Sequence, residues 1–261
     1  MSKIEAQQMS DRALDYYKQA ADQMKQNSRS VNVASAIELL HKSAELGLDE
    51  ARYQLGVLYA EGRYCQQDLS MASDWFTLAA ESGFVPAKFA LATLYRHEDK
   101  HHQATELLIE LAEQGVMEAK TNLADCYLEA KGVDKDVAKG IELLQQAANA
   151  GDRFAQYRLG VIYYQGKEVP TDYIFARKNI VLAMEQKYLP AYLVMGAMLE
   201  HGFGINKDVI KAYSLYFFCD YYGMPNLKEL LSDVLFTLND IEKQQAKQRA
   251  EEWCQNEPAP V

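Results

Sequence analysis

Residues 51–83 read ARYQLGVLYAEGRYCQQDLSMASDWFTLAAESG. Residues 119–151 (AKTNLADCYLEAKGVDKDVAKGIELLQQAANAG) and 155–187 (AQYRLGVIYYQGKEVPTDYIFARKNIVLAMEQK) follow the same plan. Laying Gly47, Gly83, Gly115, Gly151 and Gly223 over one another gives a period of 36 residues, with four lost from the unit that begins at Ala87. Each unit is counted from its first alanine. Offset 4 holds Leu55, Leu91, Leu123, Leu159 and Met195, and offset 8 holds Tyr59, Tyr95, Tyr127 and Tyr163, with Leu199 in the last unit. Leu58, Leu94, Cys126, Ile162 and Met198 at offset 7 complete one buried helix stripe. Offset 5 is small (Gly56, Ala92, Ala124, Gly160, Gly196), which lets a neighbouring helix come close.

A glycine-bearing turn follows, around Gly62, Gly132, Gly166, Gly202 and Gly204. At offset 17 stand Asp68, Asp136, Asp172 and Asp208, whose carboxylates are expected to cap a second helix. That helix carries small and apolar residues such as Ala72, Phe76 and Ala79, then ends at a left-handed glycine cap. One unit departs from this ending, because Lys187 stands where the glycine is expected.

The pattern resembles the Sel-one-like repeat family, a relative of the tetratricopeptide repeats, over residues 34–223. The resemblance implies an all-α fold, a right-handed α-α superhelix or solenoid of helix-turn-helix repeats. Residues 1–33 are expected to form an N-terminal capping helix, with Leu14, Tyr17, Ala21 and Met24 as its apolar stripe. Residues 224–256 would form C-terminal capping helices anchored by Trp253, ahead of a frayed tail at 257–261.

With 261 residues, 49% apolar and 25% charged, the composition is that of a folded chain and excludes wholesale disorder. The net charge of −10 disfavours nucleic acid and membrane surfaces as partners and favours a basic protein. Cys65, Cys126, Cys219 and Cys254 lie far apart without a C-x-x-C pair, and no secretion signal or membrane span is evident. A cytoplasmic location is expected.

In the first helices, offsets 2, 6 and 9 oppose the core stripe. The resemblance implies that this face lines a concave groove that holds a partner. Ten of its fifteen slots are apolar or aromatic, where a merely solvated face would be mainly charged. The candidate partner-binding residues are Tyr53, Val57, Phe89, Thr93, Arg96, Thr121, Asp125, Leu128, Tyr157, Val161, Tyr164, Leu193 and Glu200. Asp125 would pair with a cation of the partner, and Glu50, Glu61, Glu118 and Glu129 would join Glu200 as an acidic rim. Aromatic residues crowd the helix Tyr213–Tyr222, where Tyr213, Phe217 and Tyr221 replace polar residues of other units. Either the following helices cover them or they support weak self-association of an otherwise monomeric chain.

One enzyme motif matches as text. His97-Glu98-Asp99-Lys100-His101 fits H-E-x-x-H, but the repeat places it at the shortened turn, not on the continuous helix that zinc catalysis needs. The penicillin-directed chemistry associated with some members of the resembled family would need S-x-x-K, which is absent, as is G-x-S-x-G. No cofactor or metal is expected. The function read from the sequence is therefore non-catalytic binding of a protein or peptide, as an adaptor or scaffold. Its alternatives are a bacterial immunity or antitoxin protein and, on the histidine turn alone, a metal-dependent hydrolase.

Overall fold

A computed structural model describes residues 3–25 and 30–256, and among them there are fourteen α-helices and no strand. The expected tail at 257–261 lies outside the described residues. The chain divides into two compact units. The first runs to Ala119 and includes Ala130–Asp134; the second holds Lys120–Glu129 and the described residues from Lys135 onward.

In the first unit, α1 (Lys3–Lys25) pairs with α2 (Ser30–Glu45), α3 (Asp49–Glu61) with α4 (Leu69–Glu81), and α5 (Val85–His97) with α6 (His101–Glu113). Of the stripe expected on α1, Tyr17 and Met24 pack against the buried cluster, while Ala13 and Ala20 take the fully buried positions next to Leu14 and Ala21. Leu14 is 42% exposed. Two alanines let α1 approach α2 closely enough for the Ser43 hydroxyl to donate to the Ala13 carbonyl at 2.7 Å. A leucine on that line would hold the helices apart.

The division falls within α7 (Met117–Glu129). The second unit continues with α8 (Val137–Asn149), α9 (Arg153–Gln165), α10 (Tyr173–Glu185), α11 (Leu189–His201), α12 (Val209–Tyr221), α13 (Lys228–Phe236) and α14 (Asp240–Asn256). Helix α9 packs on α10, α11 on α12, and α14 lies against α12. Asn239 caps the start of α14: its side chain accepts from the Ile241 and Glu242 amides, and the Glu242 carboxylate accepts from the Asn239 amide, all at 3.0 Å.

The repeat positions do the work their chemistry suggests. Asp68, Asp136, Asp172 and Asp208 each accept from the backbone N–H three residues on, at 3.0, 2.9, 2.9 and 2.8 Å. Their own amides donate back to the offset-8 carbonyls of Tyr59, Tyr127, Tyr163 and Leu199, closing each turn. In the shortened unit Lys100 takes the aspartate's place and donates to the Tyr95 carbonyl at 2.8 Å, with no side-chain cap on α6. Lys187, at φ 61°, keeps the turn that glycine makes elsewhere. Its amide donates to the Met184 carbonyl and the Tyr188 amide to that of Ala183, the paired bonds of a Schellman ending.

Close approach explains offset 5. A methyl group at Gly56, Gly160 or Gly196 would stand 2.4–2.6 Å from Phe76, Ile180 or Tyr216 of the following second helix. Offset 13 has a different duty: a methyl group at Gly132 or Gly204 would meet the carbonyl oxygen of His101 or Tyr173, the first residues of α6 and α10.

The aromatic helix α12 is mainly covered. Tyr213 is buried, Phe217 half-buried and Phe218 lies 6.2 Å from Trp253 of α14; Tyr221 alone of the three singled-out positions stands out, 62% exposed. Tyr213 is thus removed from any self-association surface, because the helices after α12 bury it. No helix among the described residues is long and apolar enough to cross a membrane.

Candidate functional site

In the first unit, the first-helix face encloses a definite recess. Tyr53 and Val57 of α3 and Phe89 and Thr93 of α5 line one cavity of about 430 Å³, together with Pro86, Leu94, Glu61 and His97. The recess forms because offsets 2 and 6 of successive first helices face each other across the 36-residue spacing. Its floor is fixed from below: the Tyr53 ring lies 5.8 Å from both Phe76 and Phe84, centroid to centroid. Tyr53, Val57 and Phe89 are half-buried and Thr93 is exposed, so the recess opens to solvent. Thr93 donates to the Phe89 carbonyl at 3.0 Å, leaving its methyl group for the cavity. Arg96 is half-buried one turn further along α5.

In the second unit the candidates separate into three groups. Tyr157, Val161, Tyr164 and Leu193 are half-buried on α9 and α11. Tyr157 meets Tyr188 edge to face at 5.1 Å, and Tyr164 sits 6.1 and 6.2 Å from Tyr173 and Phe203, which stack on each other at 4.8 Å. Burial raises the phenol pKa values of Tyr157 and Tyr164, so both stay neutral hydrogen-bond donors near neutral pH. The charged candidates are already engaged. Asp125 accepts from Arg158 at 2.6 and 2.9 Å, with Glu129 3.7 Å from the same guanidinium, and Glu200 accepts from the Tyr216 hydroxyl at 2.9 Å. Burial and that carboxylate hold the Tyr216 phenol well above its ordinary range.

Two candidates belong to the core instead. Thr121, the shortest offset-2 side chain, is 6% exposed, and Leu128 is 7% exposed. Leu128 is drawn inward by α8, where Gly140 stands at the position that Ala72, Ala176 and Ala212 fill in other units. The missing methyl group leaves room for the leucine, and a Cβ there would lie 2.8 Å from its Cγ.

Sequence reasoning missed Arg158, which takes Asp125 as an internal partner from one repeat away. It also missed Tyr188 and Phe203, turn residues that complete the aromatic clusters. The histidine motif is broken by the backbone: α5 ends at His97, Asp99 has φ 57° and α6 begins at His101. No group of three or more His, Cys, Asp or Glu side chains among the described residues is placed to hold a metal ion.

The Sel1 repeat model matches residues 10–23, 26–48, 49–84, 118–152, 153–185 and 189–217, more than half of the chain. The unmatched stretch between the third and fourth segments is the shortened unit, which still folds as α5 and α6. An uncharacterized protein of Neisseria meningitidis is 30% identical over 165 residues, covering 62% of this chain and 35% of that protein. Among solved structures, a protective antigen of uropathogenic Escherichia coli with the same repeat fold superposes with a TM-score of 0.80 at 24% identity. That match covers 93% of this chain and 53% of the antigen. An immunity protein of Pseudomonas aeruginosa gives a TM-score of 0.52 at 22% identity, over 80% of this chain and 82% of its own. The chain thus spans about a third of the Neisseria protein and about half of the antigen. With its repeats, caps and helix hairpins on these terms, the chain belongs to the Sel1 repeat family, whose helical scaffolds generally serve protein–protein interaction without catalysis.

Proposed function

We propose that the chain is a non-catalytic adaptor that holds a segment of a protein partner on its first-helix face, with an apolar side chain of that partner seated between α3 and α5. The supporting observation is the convergence of Tyr53, Val57, Phe89 and Thr93 on one open cavity of about 430 Å³. Open apolar recesses of this kind on a folded surface mark binding sites more often than not. Tyr53 and Phe89 offer large contact area at small conformational cost. In the second unit, Tyr157, Val161, Tyr164 and Leu193 would supply a further strip of contact. Arg158, held by Asp125, would serve to orient the partner. The excess of acidic residues, a net charge of −10, favours a basic partner through faster association that salt weakens.

A narrower reading, an immunity protein that neutralises a basic toxin, draws on the same charge balance. The name of the Pseudomonas protein with this fold suggests it. Affinity capture from native extract, wild type beside Tyr53→Ala/Phe89→Ala, separates these readings. The captured partner is expected to bind the double variant more weakly by about 2–4 kcal/mol in calorimetry, with an unchanged circular dichroism spectrum. Equal affinity would remove the recess from the interface. A toxin as the captured partner would select the immunity reading over the adaptor.

A further inference from the structure

The second unit also carries a groove of opposite electrostatic character. A cavity of about 600 Å³ lies between α10 and α12 over α11, closed at one side by Trp253 of α14. Val181 and Met184 join Trp253 as apolar walls; Arg177 and Lys211 line the groove with one carboxylate, Glu185, Lys187 stands at its edge, and Lys211 borders an adjoining cavity that holds Asp208 and Glu242. A local excess of cations is a departure on a chain of net charge −10. Arg177 and Lys211 are half-buried, and neither has an ion-pair partner among the described residues. Half-buried cations beside apolar surface and without an internal ion pair attract an anionic group and fix its register, which favours specificity and association rate. Val181 remains exposed at the groove mouth, and the Trp253 indole N–H is buried without a hydrogen-bond acceptor.

We propose that this groove docks an acidic-apolar peptide segment of a partner protein, with one bulky apolar side chain against Val181, Met184 and Trp253 and flanking carboxylates on Arg177 and Lys211. The proposal does not depend on the recess between α3 and α5, which uses other residues and favours a ligand of the opposite charge.

The test is selection of a random peptide library, displayed on phage, against the full chain carrying Tyr53→Ala/Phe89→Ala, which removes the anchors of the other recess. Enriched sequences are expected to combine an aromatic or aliphatic residue with two or more Asp or Glu. A synthetic peptide of that class should bind and shift the emission of Trp253 in a chain that also carries Trp75→Phe. Adding Arg177→Glu/Lys211→Glu should weaken this binding by at least about tenfold. Restoring Tyr53 and Phe89 should leave it within about twofold, because the two sites share no residue. Where charge reversal disturbs the circular dichroism spectrum, Arg177→Gln/Lys211→Gln replaces it, with a loss of about fivefold expected. Enrichment of basic or uncharged peptides, no enrichment, or equal binding to the charge variants would each overturn the proposal. So would tighter binding of dodecanoate than of any selected peptide, which would make the occupant a fatty-acid-like anion.

Discussion

A methyl group at Gly160 would stand 2.6 Å from two atoms of the fully buried Ile180 side chain, which would have to shift within a close-packed core. Gly160→Ala is therefore expected to lower stability by about 1–3 kcal/mol, read as a fall in the urea midpoint at constant slope. Ala130 presents the reverse case. It occupies the helix-ending position held by Gly62, Gly166 and Gly202 in other units, and it does so at φ 56°. An alanine in the left-handed region carries a steric cost of about 1–2 kcal/mol, partly offset by the unfolded-state freedom that glycine regains. Ala130→Gly should therefore stabilise the chain by about 0.5–1 kcal/mol, and a lower melting temperature would contradict this. The glycine of offset 5 was legible in the sequence because its neighbours are fixed by the period. Arg158 was not, since its pairing with Asp125 arises only when consecutive first helices lie side by side. Periodicity within one helix says nothing about which side chains of two helices meet.

At the scale of the element, the second helices depend on their first residue. Asp172 is exposed and accepts from the Phe175 amide at 2.9 Å, so Asp172→Ala should cost about 1 kcal/mol in chemical denaturation. An unchanged midpoint would mean that solvent satisfies that amide as well as the carboxylate does. The caps and helix hairpins were readable from the sequence because they rest on contacts within one repeat. Leu128 was misplaced because its position depends on α8, where a glycine creates a hollow that a count along α7 alone cannot show. Tyr213 depends likewise on α14, which buries Ala246 and Ala250 as it packs against α12. That packing is accessible to chemistry. Cys219 is buried, and burial raises its thiol to about 12, so the native chain should shield it from a thiol-specific disulfide reagent, while half-buried Cys65 and Cys254 react first. Ala250→Asp, which places a carboxylate at a fully buried position, should unseat α14 and accelerate labelling of Cys219 but not of Cys126. Equal acceleration at both would indicate general unfolding.

Across the whole molecule, the buried surface is unevenly distributed. Helix α1 buries Ala13 and Ala20 but leaves Ile4 71% and Leu14 42% exposed. The cluster around α11 and α12 buries Tyr192, Tyr213, Leu215, Tyr216 and Phe218 as well as Met195 and Met198. Apolar burial is worth roughly 25 cal/mol per Å², and a buried aromatic side chain removes several times the area of an alanine. In a repeat protein such differences stay local, because each unit draws stability from itself and its immediate neighbours. Amide exchange should therefore report a gradient, not a single global value. The amides of α1 are expected to exchange fastest of the fourteen helices and those of α11 and α12 slowest, in native-state exchange followed by mass spectrometry. Uniform protection would show that the helices unfold as one cooperative body, so that aromatic burial in the second unit also stabilises the recess between α3 and α5. A gradient would place that recess among segments of intermediate stability. Partner binding there would then slow exchange in α3 and α5 selectively, since a ligand protects only the openings that destroy its site.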